Sequence, residues 1–307
     1  MTDRTLEWVE RHLADGEHLT GQVPLAGGWT SRMRRLTTSG GRSLVLRSFT
    51  DAFFLRHADG LLTREARVLT LLAGTDVPAA RLLAVDARAD HCDHPSLLMT
   101  LLPGAVCLDD AGAPARAGAL ADQLVRVHGL AVPAADRPRT YQAWTAPGRV
   151  RVPERTGRPE PWRRAIAAIA AIDREPPAHR GRFLHRDYHP GNVLFAADAV
   201  SGVVDWVETS WGPADLDVAH CATALALLHG PAAGLAFPGR YTAAGGALSP
   251  APAARRYWYL LDALGYAPDA EKVATPWRAL GRTDLTPAVL QDRLERYLEG
   301  LLALPDR

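Results

Sequence analysis

The sequence predicts an α+β fold of two lobes, a small β-rich N-terminal lobe over residues 1–102 and a larger, mostly helical C-terminal lobe over residues 103–307. Three observations predict it. Strand-like runs cluster in the first hundred residues, alanine- and leucine-rich helical runs dominate the rest, and a Pro103-Gly104 pair stands where the character changes. At 307 residues, 47% of them hydrophobic, the chain is long enough to bury a sizeable core.

Taken in order, residues 4–14 (RTLEWVERHLA) read as a short amphipathic helix, with Leu6, Val9, Glu10 and Leu13 spaced for one partly apolar face. A glycine turn follows at Gly27 and Gly28. Arg42 to Phe49 then has the content of a strand, entered through Gly40-Gly41 as one arm of a hairpin. Leu61 to Leu72 (LLTREARVLTLL) has helical spacing, with Glu65 off the main leucine stripe. Runs near Arg81 to Val85 and Ser96 to Leu102 complete a small sheet. Beyond the Pro103-Gly104 boundary, Ala117 to Leu130, Trp162 to Ile172, Ala219 to Leu228 and Thr286 to Leu302 read as helices, the first two joined by a proline- and arginine-rich stretch from Pro133 to Pro161.

Composition narrows the function classes. No run approaches the roughly 18 apolar residues of a membrane span, and the N-terminus lacks the layout of a secretory signal, so a cytoplasmic location is expected. Cys92, Cys107 and Cys221 form no CxxC pair and give neither a disulfide framework nor a zinc site. A net charge of +1 offers no broad field for nucleic acid or an anionic membrane. Lys272 is the only lysine among 35 basic side chains, so nearly every cationic role falls to arginine.

The chemistry concentrates at Phe183 to Phe195, FLHRDYHPGNVLF, where two apolar strand-like flanks enclose a polar loop bearing His185, Arg186, Asp187 and Asn192. A second apolar strand, Gly202 to Trp206 (GVVDW), ends in Asp205. Phosphoryl transfer needs this set: one carboxylate to orient a hydroxyl and accept its proton, and hard oxygen ligands for Mg²⁺.

HRDYHPGN resembles the catalytic loop of protein kinases and, with its HPGN ending, more closely that of the aminoglycoside phosphotransferase family. GVVDWVETSWGPADLDVAH is similar to that family's metal-binding aspartate followed by a helix-capping one. The resemblance runs from about Leu25 to His220. It implies a bilobal protein-kinase-like fold and an O-phosphotransferase acting on a small-molecule hydroxyl, with ATP or GTP as donor. It makes Asp187 the catalytic base, Asn192 and Asp205 the Mg²⁺ ligands, and Asp217 a structural brace. By the same resemblance, LAGGWTSRMRRL (Leu25 to Leu36) is the nucleotide-covering loop, with Gly27, Gly28, Thr30 and Ser31 at the phosphates. Arg47, in LVLR, stands at the cation of the α- and β-phosphates, where protein kinases have lysine, and Glu65 orients it. Ser96 to Gly104 is similar to the interlobe linker, whose backbone at Met99 and Leu101 would meet the purine. No activation loop or Ala-Pro-Glu segment follows Asp205, which points away from protein substrates.

Blander readings bear on the other candidates. His185 is expected to brace the loop, and His128 to sit at the core edge. His91, Cys92, Asp93 and His94 lack the ligand spacing of a tetrahedral site and read as a polar hairpin turn. Trp144, Trp162, Trp258 and Trp277 could line a pocket or simply pack. The acceptor is expected to be an antibiotic or related natural product, with a sugar, amino alcohol or homoserine-like metabolite as the alternative and a regulatory pseudokinase a more distant one. The chain would act as a monomer or homodimer, without nucleic acid or membrane. The arginines of Pro133 to Pro161 (Arg137, Arg139, Arg149, Arg151, Arg155 and Arg158, against Asp136, Glu154 and Glu160) favour a neutral, weakly cationic or anionic acceptor over a polycation, unless Asp262, Asp269, Glu271, Asp284 and Asp292 converge on the site.

Overall fold

The computed structural model describes residues 3–25, 31–172, 176–197, 199–267 and 270–305, and the chain divides into two compact units. The first comprises Met1–Gly104 together with Ser201–Val207; the second comprises Ala105–Val200 and Glu208–Arg307.

The first unit opens with helix α1 (Arg4–Glu10), whose N-terminus is capped by Asp3, the Leu6 N–H donating to its carboxylate. Strands β1 (Leu19–Pro24), β2 (Arg32–Thr38) and β3 (Ser43–Ser48) form a meander, followed by the short α2 (Ala52–Leu55), the long α3 (Ala58–Leu72), β4 (Leu82–Asp86) and β5 (Ser96–Thr100). The sheet is antiparallel throughout, in the order β1-β2-β3-β5-β4. The β2-β3 turn uses Gly41 at φ +78°, a left-handed conformation that glycine takes without a Cβ penalty. Leu36, Leu44, Leu46 and Leu98 join Trp8 and Val9 of α1 in a core. One residue along from Leu46, the pleat turns Arg47 to the other face, where it meets Glu65 of α3.

The stretch expected to form a loop from Leu25 to Leu36 differs in its second half, because β2 already begins at Arg32 and pairs with both neighbours. Its run of Arg32, Met33, Arg34 and Arg35 hides the alternation, yet Leu36 is wholly buried and Arg34 is held by Asp3 and Gln22. The turn at His91 to His94 joins β4 to β5, and Asp86 organises it by accepting the backbone N–H groups of Asp90, His91 and Cys92.

The second unit contains β6 (Ala105–Val106), α4 (Ala113–His128), α5 (Pro159–Ala170), β7 (Arg182–Leu184) and β8 (Val193–Ala196). The chain leaves it along β9 (Ala199–Val203) and returns at β10 (Ser210–Gly212), α6 (Asp215–His229), α7 (Pro231–Ala243), α8 (Pro252–Leu264), α9 (Glu271–Ala279) and α10 (Pro287–Leu302). Helix α6 is buried from Asp215 through Leu228, as an all-round apolar helix must be, and packs on α7, α8 and α10. Strand β7 pairs antiparallel with β10, and β6 with β8, so the loop between β7 and β8 is fixed at both ends.

Candidate active site

The β7-β8 loop is held by buried acceptors as well as by the burial of Tyr188 and Pro190. The Asp217 carboxylate, fully buried near the start of α6, accepts the N–H groups of His185 and Arg186, each at 2.8 Å, and His128 Nε2 at 3.1 Å. His128 is buried and bridges onward to the Tyr241 hydroxyl at 2.7 Å. His185 Nδ1 accepts the N–H of Asp187 at 3.2 Å. Arg186 is held at φ +76°, a strained setting for a residue with a side chain and one that structures keep where the surroundings over-determine it. Gly191 lets the loop close on itself, since a Cβ there would lie 2.7 Å from His189 Cε1.

Asp187 is thereby presented with both carboxylate oxygens engaged. His220 Nε2 of α6 lies 3.1 Å from Oδ1, and Asn192 Nδ2 donates to Oδ2 at 2.9 Å and to the Asp187 backbone carbonyl at 2.9 Å. His220 reaches Asp262 of α8 through Nδ1 at 3.0 Å, and Thr223 donates to that second carboxylate at 2.7 Å. Burial opposes a charge on His220, but Asp262 and Asp187, one at each ring nitrogen, outweigh it and raise the imidazole to about 10. Burial likewise favours protonating Asp187, and His189, His220 and His185 overcome it, holding the carboxyl well below its ordinary value. The result is an ionised carboxylate clamped by a cation, with one third of its side chain open to solvent.

In the first unit, Arg47 is buried and gathers three acidic or polar partners. Its NH1 nitrogen donates to both Glu65 oxygens at 3.0 Å and to Asp205 Oδ1 at 3.1 Å, and its Nε donates to Ser31 Oγ at 3.0 Å. Burial and the neighbouring Asp205 raise Glu65 despite Arg47, while the two carboxylates keep the guanidinium firmly cationic. Asp205 stands just after β9 at φ +64° with 40% of its side chain exposed, so it has oxygen surface left to offer a ligand. Met99 on β5 and Leu101 just beyond it are half-buried, and the Leu101 N–H donates to Ser43 O at 3.2 Å. Gly27, Gly28 and Thr30 lie outside the described residues. The structure thus joins Ser31, Arg47, Glu65 and Asp205 in one unit, and Asp187 with Asn192 in the other.

A model of the phosphotransferase enzyme family, APH, matches residues 21–258. The chain belongs to this family. It is a small-molecule phosphotransferase of bilobal, protein-kinase-like fold. No curated protein sequence matches it. Among solved structures it is similar to macrolide 2'-phosphotransferase MphH from Brachybacterium faecium, at 17% identity over 98% of this chain and 97% of that one, with a TM-score of 0.58. Aminoglycoside-3'-phosphotransferase of type VIII gives 23% identity over 85% and 97%, with a TM-score of 0.58. A thermostable mutant of aminoglycoside phosphotransferase APH(4)-Ia, in ternary complex with AMP-PNP and hygromycin B, gives 16% identity over 97% and 99%, with a TM-score of 0.64. At these identities the likeness is one of fold. Among the described residues of this phosphotransferase no helix is long and apolar enough to cross a membrane.

Nothing in the sequence marks His220 as a site residue, and Trp144 stands there only as one of four tryptophans that could line a pocket or pack. His220 lies in an alanine- and leucine-rich helix, and only tertiary placement gives it two carboxylates. Trp144, 44% exposed, stands edge-on to the His220 ring at 5.0 Å, whereas Trp162, Trp258 and Trp277 are buried. Asp187, His189 and His220 hold possible ligand atoms within 4.8 Å of one another. His220 already spends both nitrogens on carboxylates, and His189 Nδ1 accepts the Gly191 N–H. That set therefore suits an orienting clamp better than a metal centre. The acidic residues of the C-terminal helices do not converge as a patch: Asp262 faces His220, Asp284 pairs with Arg282, Asp292 with Arg158 and Arg296, and Glu271 with Arg278. Asp269 lies outside the described residues.

Proposed function

We propose that the protein transfers the γ-phosphoryl group of ATP or GTP to a hydroxyl of a small natural product such as an antibiotic, with residues 1–102 serving the nucleotide and residues 103–307 the acceptor. The observation that carries this reading is Asp187, an ionised carboxylate held at both oxygens by His220 and Asn192 yet open to solvent.

The acceptor oxygen attacks the γ-phosphorus as the bond to the β,γ-bridging oxygen breaks, and its proton passes to Asp187. A carboxyl held so far below neutrality is a weak base. Its larger contribution is to aim the hydroxyl, with proton transfer late, when the oxygen has become acidic. Arg47, oriented by Glu65, meets the α- and β-phosphates, and Gly27, Gly28, Thr30 and Ser31 contribute to their cradle. Backbone groups at Met99 and Leu101 meet the purine.

Mg²⁺ fits the hard oxygens on offer. Asn192 spends its amide nitrogen on Asp187, which leaves Oδ1 as its ligand atom, and Asp205 keeps exposed carboxylate surface beside the Arg47 bond. Bound there, Mg²⁺ would neutralise charge developing on the phosphate oxygens.

The test is nucleoside diphosphate release with an acceptor panel, and mass spectrometry for the phosphate adduct. Asp187→Asn should keep nucleotide affinity while turnover falls about 10²–10⁴-fold. Turnover near that of the wild type would remove Asp187 from the mechanism.

A further inference from the structure

Beside the clamped Asp187, the second unit has a cavity of about 280 Å³ that none of the roles above uses. The charged side chains lining it are Arg139, Arg149, Arg186 and Glu208, with Gln142 and Trp144 among the remaining walls. Such a volume sits below the roughly 300–1,000 Å³ of whole-ligand pockets, so it suits a substituent rather than an entire acceptor.

Three guanidinium groups face a single carboxylate, and the three differ in how firmly they are held. Arg186 is buried and donates to Gln142 O at 3.0 Å, with its guanidinium carbon 4.4 Å from the Trp144 ring centre. Among the described residues no carboxylate lies within ion-pair distance of it. Burial pulls this guanidinium below its ordinary value, which Asp217, Asp262 and Glu208 only partly offset from further away. Arg139 is bound to Glu208 at 2.6 Å, but both side chains are more than a third exposed, and exposed pairs are worth only about 0–1 kcal/mol. It can therefore turn to a better oxyanion at little cost. Arg149 is exposed at the rim.

The position ties this cavity to the reaction. Arg186 immediately precedes Asp187, and Trp144 touches both the Arg186 guanidinium and the ring of His220, itself 3.1 Å from the Asp187 carboxylate. An acceptor anchored here would hold a hydroxyl close to the base.

We propose that this cavity is the seat of an oxyanion carried by the acceptor, a carboxylate, sulfate or phosphate group gripped by Arg139, Arg149 and Arg186. The proposal rests on the phosphotransfer reading and adds the acceptor's charge to it. Guanidinium forks match these groups bidentately, and a multiply cationic acceptor would meet repulsion at the same place.

Sulfate titrated calorimetrically into the full chain at low ionic strength tests the site without turnover. Saturable binding is expected, weakened about tenfold or more in both Arg149→Ala and Arg139→Ala, exposed positions where folding is not at stake. No saturable binding, or binding unchanged in both variants, overturns the site. A second arm measures kcat/KM for paired acceptors, a nucleoside against its monophosphate and a hexoside against its uronic acid. The charged member should be preferred, and the preference should collapse towards one in the arginine variants. Preference for the neutral members, with sulfate binding intact, would mean that the cavity takes a free anion and would overturn the acceptor assignment. Arginine-dependent sulfate binding with no phosphorylation of any acceptor would instead sink the phosphotransfer reading and leave the oxyanion site standing.

Discussion

Replacing Arg47 with methionine should destabilise the protein by about 3–5 kcal/mol at pH 8, the cost of stranding a buried charge by removing its partner. The figure comes from Glu65, which is 2% exposed and takes both of its Arg47 hydrogen bonds at 3.0 Å. Asp205, the other partner, is 40% exposed and can fall back on water, so it adds little. Glu65 is already raised by burial, and without Arg47 it rises further. The penalty is thus full only above its folded-state value and shrinks as acid neutralises it, so the gap between variant and wild type should be smaller at pH 5 than at pH 8. The double variant Arg47→Met with Glu65→Leu should recover most of the loss, because apolar replacement of a buried pair is often neutral. Urea denaturation of all three proteins at both pH values is the measurement. A single-variant loss below about 1 kcal/mol, or a double variant no better than the single, would refute a buried ion pair at this position.

Three further outcomes follow from the second unit. Asp217→Ala leaves two backbone N–H groups and His128 without their acceptor, and should cost about 3–5 kcal/mol in denaturation together with most of the activity; a stable, active variant would dismiss Asp217 as the brace of the loop. His220→Ala should lower kcat by about 10- to 100-fold with little change in nucleotide KM, since it frees Asp187 Oδ1 without touching Arg47 or the other residues proposed to meet the nucleotide; equal losses in both constants would point to general unfolding instead. The pH dependence of stability has a definite sign: His220 is raised to about 10 among Asp187, Asp262, His189 and Tyr266, so its contribution is complete below the ordinary histidine value near 6.5 and is lost as pH rises through about 10. Alkaline denaturation curves of wild type and His220→Ala should therefore converge above that pH, and parallel curves would count against it.

What the sequence made legible is what lies in one short segment. The HRDYHPGN run carries Asp187, Asn192 and their bracing histidine within eight residues, and the strand before Asp205 announces itself by its apolar run. A local shift in composition likewise marks Pro103-Gly104, and the first compact unit's opening run ends at Gly104. Strand β2 was not legible, because a buried arginine, Arg34, shares the core face with Leu36 and Thr38 while Arg32 and Arg35 are exposed, so polarity does not alternate along the strand. Nor could the sequence show that Ser201–Val207 belongs with the first hundred residues, since nothing in GVVDW names its partners.

The least legible feature is the one that sets the electrostatics of Asp187. Asp187, His220 and Asp262 are spread over 75 residues, and each taken alone has an ordinary explanation: a loop carboxylate, a helix histidine, a helix aspartate. Their effect depends on two distances, 3.1 Å and 3.0 Å, and on a site dry enough to make those distances count. A lone cation beside Asp187 would be exposed to the desolvation that burial imposes on His220; Asp262 offsets that penalty from behind, so the imidazolium persists and Asp187 stays ionised. The clamp thus needs its second carboxylate as much as its first. Asp262→Asn, which never touches Asp187, should accordingly lower kcat in the same direction as His220→Ala and bring the His220 titration down towards neutral pH, visible as a shift in its imidazole NMR signals. A titration left unmoved would mean that Asp187 alone sustains the charge.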